Sequence, residues 1–553
     1  MESRFWIKNY DYSVPETIRY PRIPLYEFVN LAAAFYPRKA ATDFYGSLIT
    51  FGDMRGRILR LANALIREGI KKGDRIGIAL PNCPQYVMAY YAVLYAGGIV
   101  VNMNPLYTHD ELEFMIKNTG MEYLFTFDMV MPTMGALARE SKIKLIVTRV
   151  TDFIDGFGVS AAKDLGLDAN CLHFSELLDS CREESIPDVP VDSEDAAVIQ
   201  FTGGTTGLPK GAVLTHANII AAAMHVCLWG SSTVMAYIPP ERGSIIAIIP
   251  YFHVYGNTTC LNAGFFTAAT QVMLPRFEMS ELLGAIARYE QISFFPAVPT
   301  LITAIVNHPQ IHELNLASKL ALFNSGGAPM PTELIKTVRN LGIFFSEGWG
   351  MSETAAMGIA NPVMRGKAGS IGVPLPDNDI RLVDLENGEK DVPLGEPGEI
   401  LMKGPTVMKE YWNNPEETAR QLKDGWLATG DIGQMDKDGY VTIVDRKKDM
   451  IIAGGFNIYP REVDEVLYRH PKVAEGVAVG IPDAYRGETV KVFVVLKEGM
   501  QATADEIIAF CKEKLAPYKV PKFVEFRDSL PKSAVGKILR KILRDEEIQK
   551  QKA

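Results

Sequence analysis

Ten consecutive residues, Thr202-Gly203-Gly204-Thr205-Thr206-Gly207-Leu208-Pro209-Lys210-Gly211, combine glycines, hydroxyls and one lysine in an order that suits a polyanion. Glycine lets the backbone turn sharply and bring bare N–H groups to phosphate oxygens, and the threonine hydroxyls and Lys210 add donors and charge. The segment reads as a phosphate cradle. It is not a Walker loop, in which Gly-Lys is followed by Ser or Thr at the start of a helix, because Gly211 follows Lys210 and Pro209 precedes it. Nor is a serine hydrolase indicated, since Gly350-Met351-Ser352-Glu353-Thr354 lacks the closing glycine of a nucleophile elbow.

The elements that must position such a loop are legible around it. Arg75 to Leu80 reads as a buried strand and Gln85 to Ala96 as an amphipathic helix closed by Gly97-Gly98. That alternation, continued at Ile245 to Ile249 and Lys319 to Phe323, is the pattern of an α/β domain with parallel strands. After about residue 375 short strands and turns such as Asn387-Gly388 and Asp438-Gly439 predict a compact β region. The charged run Asp445-Arg446-Lys447-Lys448-Asp449 divides two strand-like segments, Tyr440 to Val444 and Met450 to Ala453. Beyond it, a helix from Pro460 to His470, strands at Val473 to Gly480 and Val490 to Leu496, and a helix from Asp505 to Leu515 predict a small α/β domain, with a short basic tail after Lys537.

With 553 residues the chain exceeds one core, and 47% hydrophobic and 22% charged residues describe an ordinary globular protein. A net charge of -9 argues against broad binding to nucleic acid or anionic lipid, so anionic ligands need local sites. Six scattered cysteines without a C-x-x-C pair read as reduced, packed thiols, and the N-terminus lacks the features of a secretory signal, which places the expected location in the cytoplasm. The uncharged stretch from His253 to Leu274 is interrupted by Asn, Thr and Gln and reads as a buried segment rather than a membrane span.

The ten-residue loop resembles the phosphate loop of the adenylate-forming superfamily, which contains acyl-CoA synthetases, peptide-synthetase adenylation domains and firefly-type luciferases. Further resemblances follow in family order. Asn324-Ser325-Gly326-Gly327-Ala328-Pro329 is similar to the adenine-binding turn, Glu347-Gly348-Trp349-Gly350-Met351-Ser352-Glu353-Thr354 to the next signature, Thr429-Gly430-Asp431 to the ribose site, Arg446 to Pro460 to the hinge, and Pro531-Lys532-Ser533-Ala534-Val535-Gly536-Lys537 to the terminal lysine motif. The resemblance implies an α/β fold with a large N-terminal domain (1–445) of two β-sheets with helices plus a distorted β-barrel, a hinge (446–448) and a small mobile C-terminal α/β domain (449–553).

It also implies ligands and roles. ATP or AMP would be held by Thr202 to Gly207, Lys210, Gly326 to Pro329, Glu347 to Ser352, Asp431 and Arg446, with Trp349, where the family more often has tyrosine, covering the base. Asp431 suits the ribose hydroxyls, and Mg²⁺, which favours few protein oxygens, would meet Glu353 and Thr202. Lys537 is the expected catalytic charge at the α-phosphate. Rotation at Lys448 would then withdraw it and present Gly454-Gly455-Phe456 to the pantetheine arm of coenzyme A.

For the acid, Pro250-Tyr251-Phe252-His253-Val254-Tyr255-Gly256 resembles the aromatic motif bordering the acyl site, with His253 as a gating or orienting residue. Tyr255 and Val298, among the apolar Phe294, Phe295, Leu301 and Ile302, are the expected acyl pocket, where burial contributes about 0.8 kcal/mol per methylene. The reading is a medium- to long-chain fatty acid CoA ligase. The alternatives are an aryl-acid CoA ligase, a fatty acyl-AMP ligase serving a carrier protein, a luciferase-like oxygenase and a non-catalytic sensor. Small molecules are the expected partners, without nucleic acid or a transmembrane segment, with at most peripheral membrane contact, and with a homodimer allowed.

Overall fold

The structure is a computed structural model that describes residues 4–161, 165, 167, 170–202, 209–230, 238–311, 314–328, 330–453, 456–483, 485–533 and 536–552. Among these residues the strands assemble into five sheets. The largest has eight strands, and its centre is parallel: Ile99–Asn102, Arg75–Ile78, Tyr123–Phe127 and Lys144–Thr148 run side by side, as the alternating pattern predicts. At one side Ala196–Phe201 pairs in parallel with Ile99–Asn102 and then turns back antiparallel into Gly211–Thr215. The phosphate-type loop is therefore the connection of a β-hairpin at the sheet's edge region, and not a strand-to-helix turn.

A four-stranded sheet and a second, five-stranded sheet are joined by a parallel bridge between Ile245 and Phe294, so they form one extended surface. The second carries Leu322–Ser325 and Phe344–Trp349 in parallel and then folds back through Ile359–Ala360. Asp379–Val383, Pro397–Lys403, Trp426–Met435 and Val441–Arg446 make an antiparallel half-barrel, the compact β region expected after residue 375. The last sheet begins at Ile451–Ala453 and is dominated by the antiparallel pair Val473–Asp483 and Gly487–Leu496.

Two expectations change. The helix Pro84–Tyr95 is buried on every side, so it is not amphipathic in the usual sense. Its polar positions are tyrosines, whose rings pack as apolar groups while their hydroxyls find partners inside. Tyr90 donates to Asn257 Oδ1 (3.1 Å), Tyr91 to Asn262 Oδ1 (3.0 Å) and Tyr86 to the Tyr251 carbonyl (3.0 Å). These contacts hold the segment around His253 and the π-helical turn Asn257–Asn262 against the eight-stranded sheet. No helix of the described residues is long and apolar enough to cross a membrane.

The second change is at the end of the chain. The basic tail is a helix, Arg540–Lys552, packed on Val473–Asp483 with Leu543 fully buried and Glu547 paired with Lys491 at 2.7 Å. The apolar positions in it are too few for a strong periodic signal, and ion pairing secures the rest.

Tyr91→Phe removes a buried donor and leaves Asn262 Oδ1 without it, which should cost about 1–2 kcal/mol. Urea unfolding of the two proteins at equal slope checks this value.

Candidate active site

One cavity of about 2010 Å³ runs between the eight-stranded sheet, the extended sheet, the half-barrel and the C-terminal unit. Its phosphate end starts at the hairpin. The Thr202 N–H donates to the Lys210 carbonyl (2.8 Å), pinning the mouth of the loop, and Gly203, Gly204, Thr205, Thr206 and Gly207 lie outside the described residues. Lys210 pairs with Glu417 and lies 5.4 Å from the centroid of the Tyr411 ring. The Tyr411 hydroxyl donates to Glu353 Oε1 (2.7 Å), and burial raises the Glu353 carboxyl above its ordinary range against the pull of that hydrogen bond, Arg446 and Lys210.

The nucleoside end is built by close approach. Gly326 sits over Tyr255, where a Cβ would come within 3.1 Å of the ring, and the Tyr255 hydroxyl donates to Asn324 Oδ1 (2.7 Å). Pro329 lies outside the described residues, but the next N–H, of Met330, donates to Glu347 Oε1 (3.1 Å). Glu347 is thus an anchor for the turn, and burial pushes its carboxyl up to about 7. Gly348, Gly350, Met351, Ser352 and Ala328 line the cavity with Trp349, and Gly327 takes the left-handed conformation (φ +78°).

Trp349 gains a hydrogen bond that its tyrosine counterpart would place elsewhere. Its indole N–H donates to Asp431 Oδ2 (2.8 Å), and Arg446 Nε stands 3.2 Å from Oδ1. Each carboxylate oxygen keeps a second lone pair, so Asp431 can still accept from a diol.

Lys537 enters from the C-terminal unit on a tight loop. Ser533 N–H donates to the Lys537 carbonyl (2.8 Å) and Lys537 N–H to Ser533 Oγ (3.2 Å). Gly536 has a φ of +74°, and a Cβ there would stand 2.8 Å from Thr300 Oγ1, so this loop presses directly on the start of the helix Pro299–Val306. The Lys537 amine is lowered to about 7, first by the Arg446 guanidinium and then by desolvation, with Asp431 opposing both. His253 accepts the Tyr255 N–H on Nδ1 (3.2 Å), and burial together with Lys537 lowers its ring to about 4. The imidazole is neutral at physiological pH and offers Nε2–H as a donor.

The apolar arm of the cavity is lined by Val226, Trp229, Phe294, Met357 and Ile371 besides Tyr255. Trp229 ends the helix His216–Trp229, whose start is fixed by reciprocal Thr215 and Asn218 hydrogen bonds, and its indole donates to the Asn361 carbonyl (2.8 Å). Val298 is buried in the core and is not on the lining; a Cβ on Gly536 would stand 3.7 Å from its Cγ2. Phe295, Leu301 and Ile302 are core residues as well.

Of the expected coenzyme A residues, only Phe456 is described. Gly454 and Gly455 lie outside the described residues, and Phe456 is 54% exposed, stacked on Tyr518 at 4.7 Å and absent from the cavity lining. Lys448 is exposed at the cavity rim. Residues that sequence reasoning missed are Tyr411, Glu417 and Arg420, which face Lys210 from more than 200 positions away. No local spacing could announce them.

Fold and cleft together define a multi-sheet α/β enzyme with a nucleotide-type cavity closed by a second, smaller unit. The chain belongs to the AMP-binding enzyme family: residues 29–412 match that family's model and residues 462–537 match the AMP-binding enzyme C-terminal domain. It is 42% identical to a long-chain-fatty-acid–CoA ligase of Bacillus subtilis (strain 168) over 98% of both chains, and 35% identical to a feruloyl-CoA synthase of Amycolatopsis sp over 92% of this chain and 96% of that one. Among solved structures, O-succinylbenzoate coenzyme A synthetase from Bacillus subtilis in complex with ATP and magnesium ion superposes with a TM-score of 0.78 at 28% identity, covering 94% of this chain and 99% of that one.

The lowered Lys537 amine has a measurable consequence. At pH 8, above its value of about 7, the amine is mostly neutral in the free protein. The charge of ATP favours the protonated form, so binding takes up a proton and weakens as pH rises from 7 to 9. Calorimetric titration with ATP in buffers of different ionisation enthalpy should show this uptake, and Lys537→Met should abolish it.

Proposed function

We propose that this chain joins a medium- to long-chain fatty acid to AMP and then transfers the acyl group to the thiol of coenzyme A. The observation that carries the reading is the meeting of Lys537, Arg446 and Asp431 in the cavity that also holds the mouth of the Thr202–Lys210 loop and an apolar arm. In the first step a carboxylate oxygen attacks the α-phosphorus while the bond to pyrophosphate breaks. Negative charge gathers on the α-phosphate oxygens, and protonated Lys537 and Arg446 are the groups able to meet it.

Lys210 and the loop hold the outgoing phosphates, Trp349 covers the base and Asp431 takes the ribose hydroxyls. Mg²⁺ fits Glu353: Tyr411 occupies one carboxylate oxygen and leaves the other, while no cluster of three or more His, Cys, Asp or Glu among the described residues offers a full cage. With Thr202 as a second contact, the ion when bound screens the triphosphate. Neutral His253, donating through Nε2–H, orients the substrate carboxylate. In the second step the thiol attacks the acyl carbonyl carbon and AMP leaves.

The first attack is at the α-phosphorus and the second at the neighbouring acyl carbonyl, and the second needs the space of Lys537. Residues 1–445 are the large domain, 446–448 the hinge and 449–553 the domain that turns about Lys448 to bring Gly454-Gly455-Phe456 to the pantetheine arm. The exposure of Phe456 supports this. A cytoplasmic location fits the supply of ATP and coenzyme A and the scattered cysteines without a C-x-x-C pair, and a homodimer belongs to the same reading. The second reading, an aryl acid, is supported by the feruloyl relative and by Phe252 and Phe294 on the lining; the aliphatic wall of Val226, Met357 and Ile371 favours an alkyl chain.

A panel of acids in a coenzyme A consumption assay should give its highest kcat/KM with alkyl acids of medium to long chain, whereas a maximum with aryl acids selects the second reading. Lys537→Ala should abolish pyrophosphate exchange and largely keep thioester formation from supplied acyl-AMP. Equal loss of both would refute the division of labour.

A further inference from the structure

A domain that turns about Lys448 must break contacts between residues on either side of it. Arg461, near the start of the helix Pro460–Tyr468, makes two such contacts. Its guanidinium Nη1 donates to the Ile443 carbonyl (2.7 Å), and its N–H donates to Asp445 Oδ2 (2.8 Å). Ile443 and Asp445 lie in Val441–Arg446, the half-barrel strand that runs up to the hinge.

Asp445 is only 3% exposed, and its other oxygen, Oδ1, accepts the N–H of Arg446 (2.7 Å). One buried carboxylate therefore ties Arg446, the partner of Asp431, to the first turn of a helix beyond the pivot. We infer that Arg461 is a positioning residue that latches the C-terminal unit in the orientation bringing Lys537 to Arg446 and Asp431, serving adenylation and not thioester formation. This rests on the rotation reading above.

The chemistry of the latch suits a contact that must both hold and release. A charged donor on a neutral carbonyl is stronger than a neutral hydrogen bond, yet its release leaves no buried cation unpaired once the arginine swings into water, and Asp445 keeps the Arg446 N–H on Oδ1. Arg461 also faces Glu347, lowering a carboxyl that burial raises, and Glu347 is the anchor of the Met330 N–H. Opening the latch therefore takes a cation away from the turn beside the base.

Arg461→Ala and Arg461→Lys test the inference by assaying pyrophosphate exchange and thioester formation from supplied acyl-AMP separately. The alanine variant should lose roughly tenfold or more in exchange and keep its thioester rate, and lysine should recover part of the exchange. Exchange within about twofold of the parent overturns the latch, as does an equal fall of both half reactions, which would mark Arg461 as merely structural. Lys537→Ala separates the two ideas: a split there without a split at Arg461 rejects the latch alone, and no split at either position rejects the rotation.

Discussion

The cavity is organised around mutual repulsion of cations in a place with little water. Lys537 is brought close enough to Arg446 that its proton is held weakly, with Arg540 and Lys448 adding to the same effect and Asp431 alone among the leading influences opposing it. In a chain of net charge -9 this juxtaposition of Lys537 and Arg446 is a place suited to an anion. A nucleotide with its phosphates supplies that anion.

Around this charge the protein spends buried polar contacts on alignment. Tyr86, Tyr90 and Tyr91 reach from a fully enclosed helix to the backbone and asparagines of the acyl motif. Glu347 holds the Met330 N–H, Tyr411 holds Glu353, and Asp445 joins Arg446 to Arg461. Most of these contacts join different elements. Their common effect is to let loops, which would otherwise wander, act as rigid parts of the site.

Trp349 illustrates how a substitution within a motif is absorbed. An indole has a flat face like a phenol but carries its donor on the ring, so the hydrogen bond goes to Asp431 instead of to a partner at the ring's far tip. The Trp349 indole and the Asp431 carboxylate thereby become one hydrogen-bonded unit, itself braced by Arg446.

Much of this was legible in the linear order of residues. The parallel core around Arg75–Ile78, the half-barrel after 375, the small α/β unit beyond Lys448 and the ordered motifs from Thr202 to Lys537 are local patterns, set by side-chain period and by the turn chemistry of glycine and proline. Other features depend on distance in space. Tyr91 was polar or apolar only once Asn262 stood opposite its hydroxyl, Val298 became a brace for Gly536 instead of a pocket wall, and Glu417 met Lys210 across 207 positions. The sequence by itself determined which groups have the chemistry a nucleotide calls for, because that is a property of residue type and short spacing. Only the tertiary structure decided which of them face one another, since desolvation, repulsion at Lys537 and the Arg461 contact across the hinge arise from long-range packing.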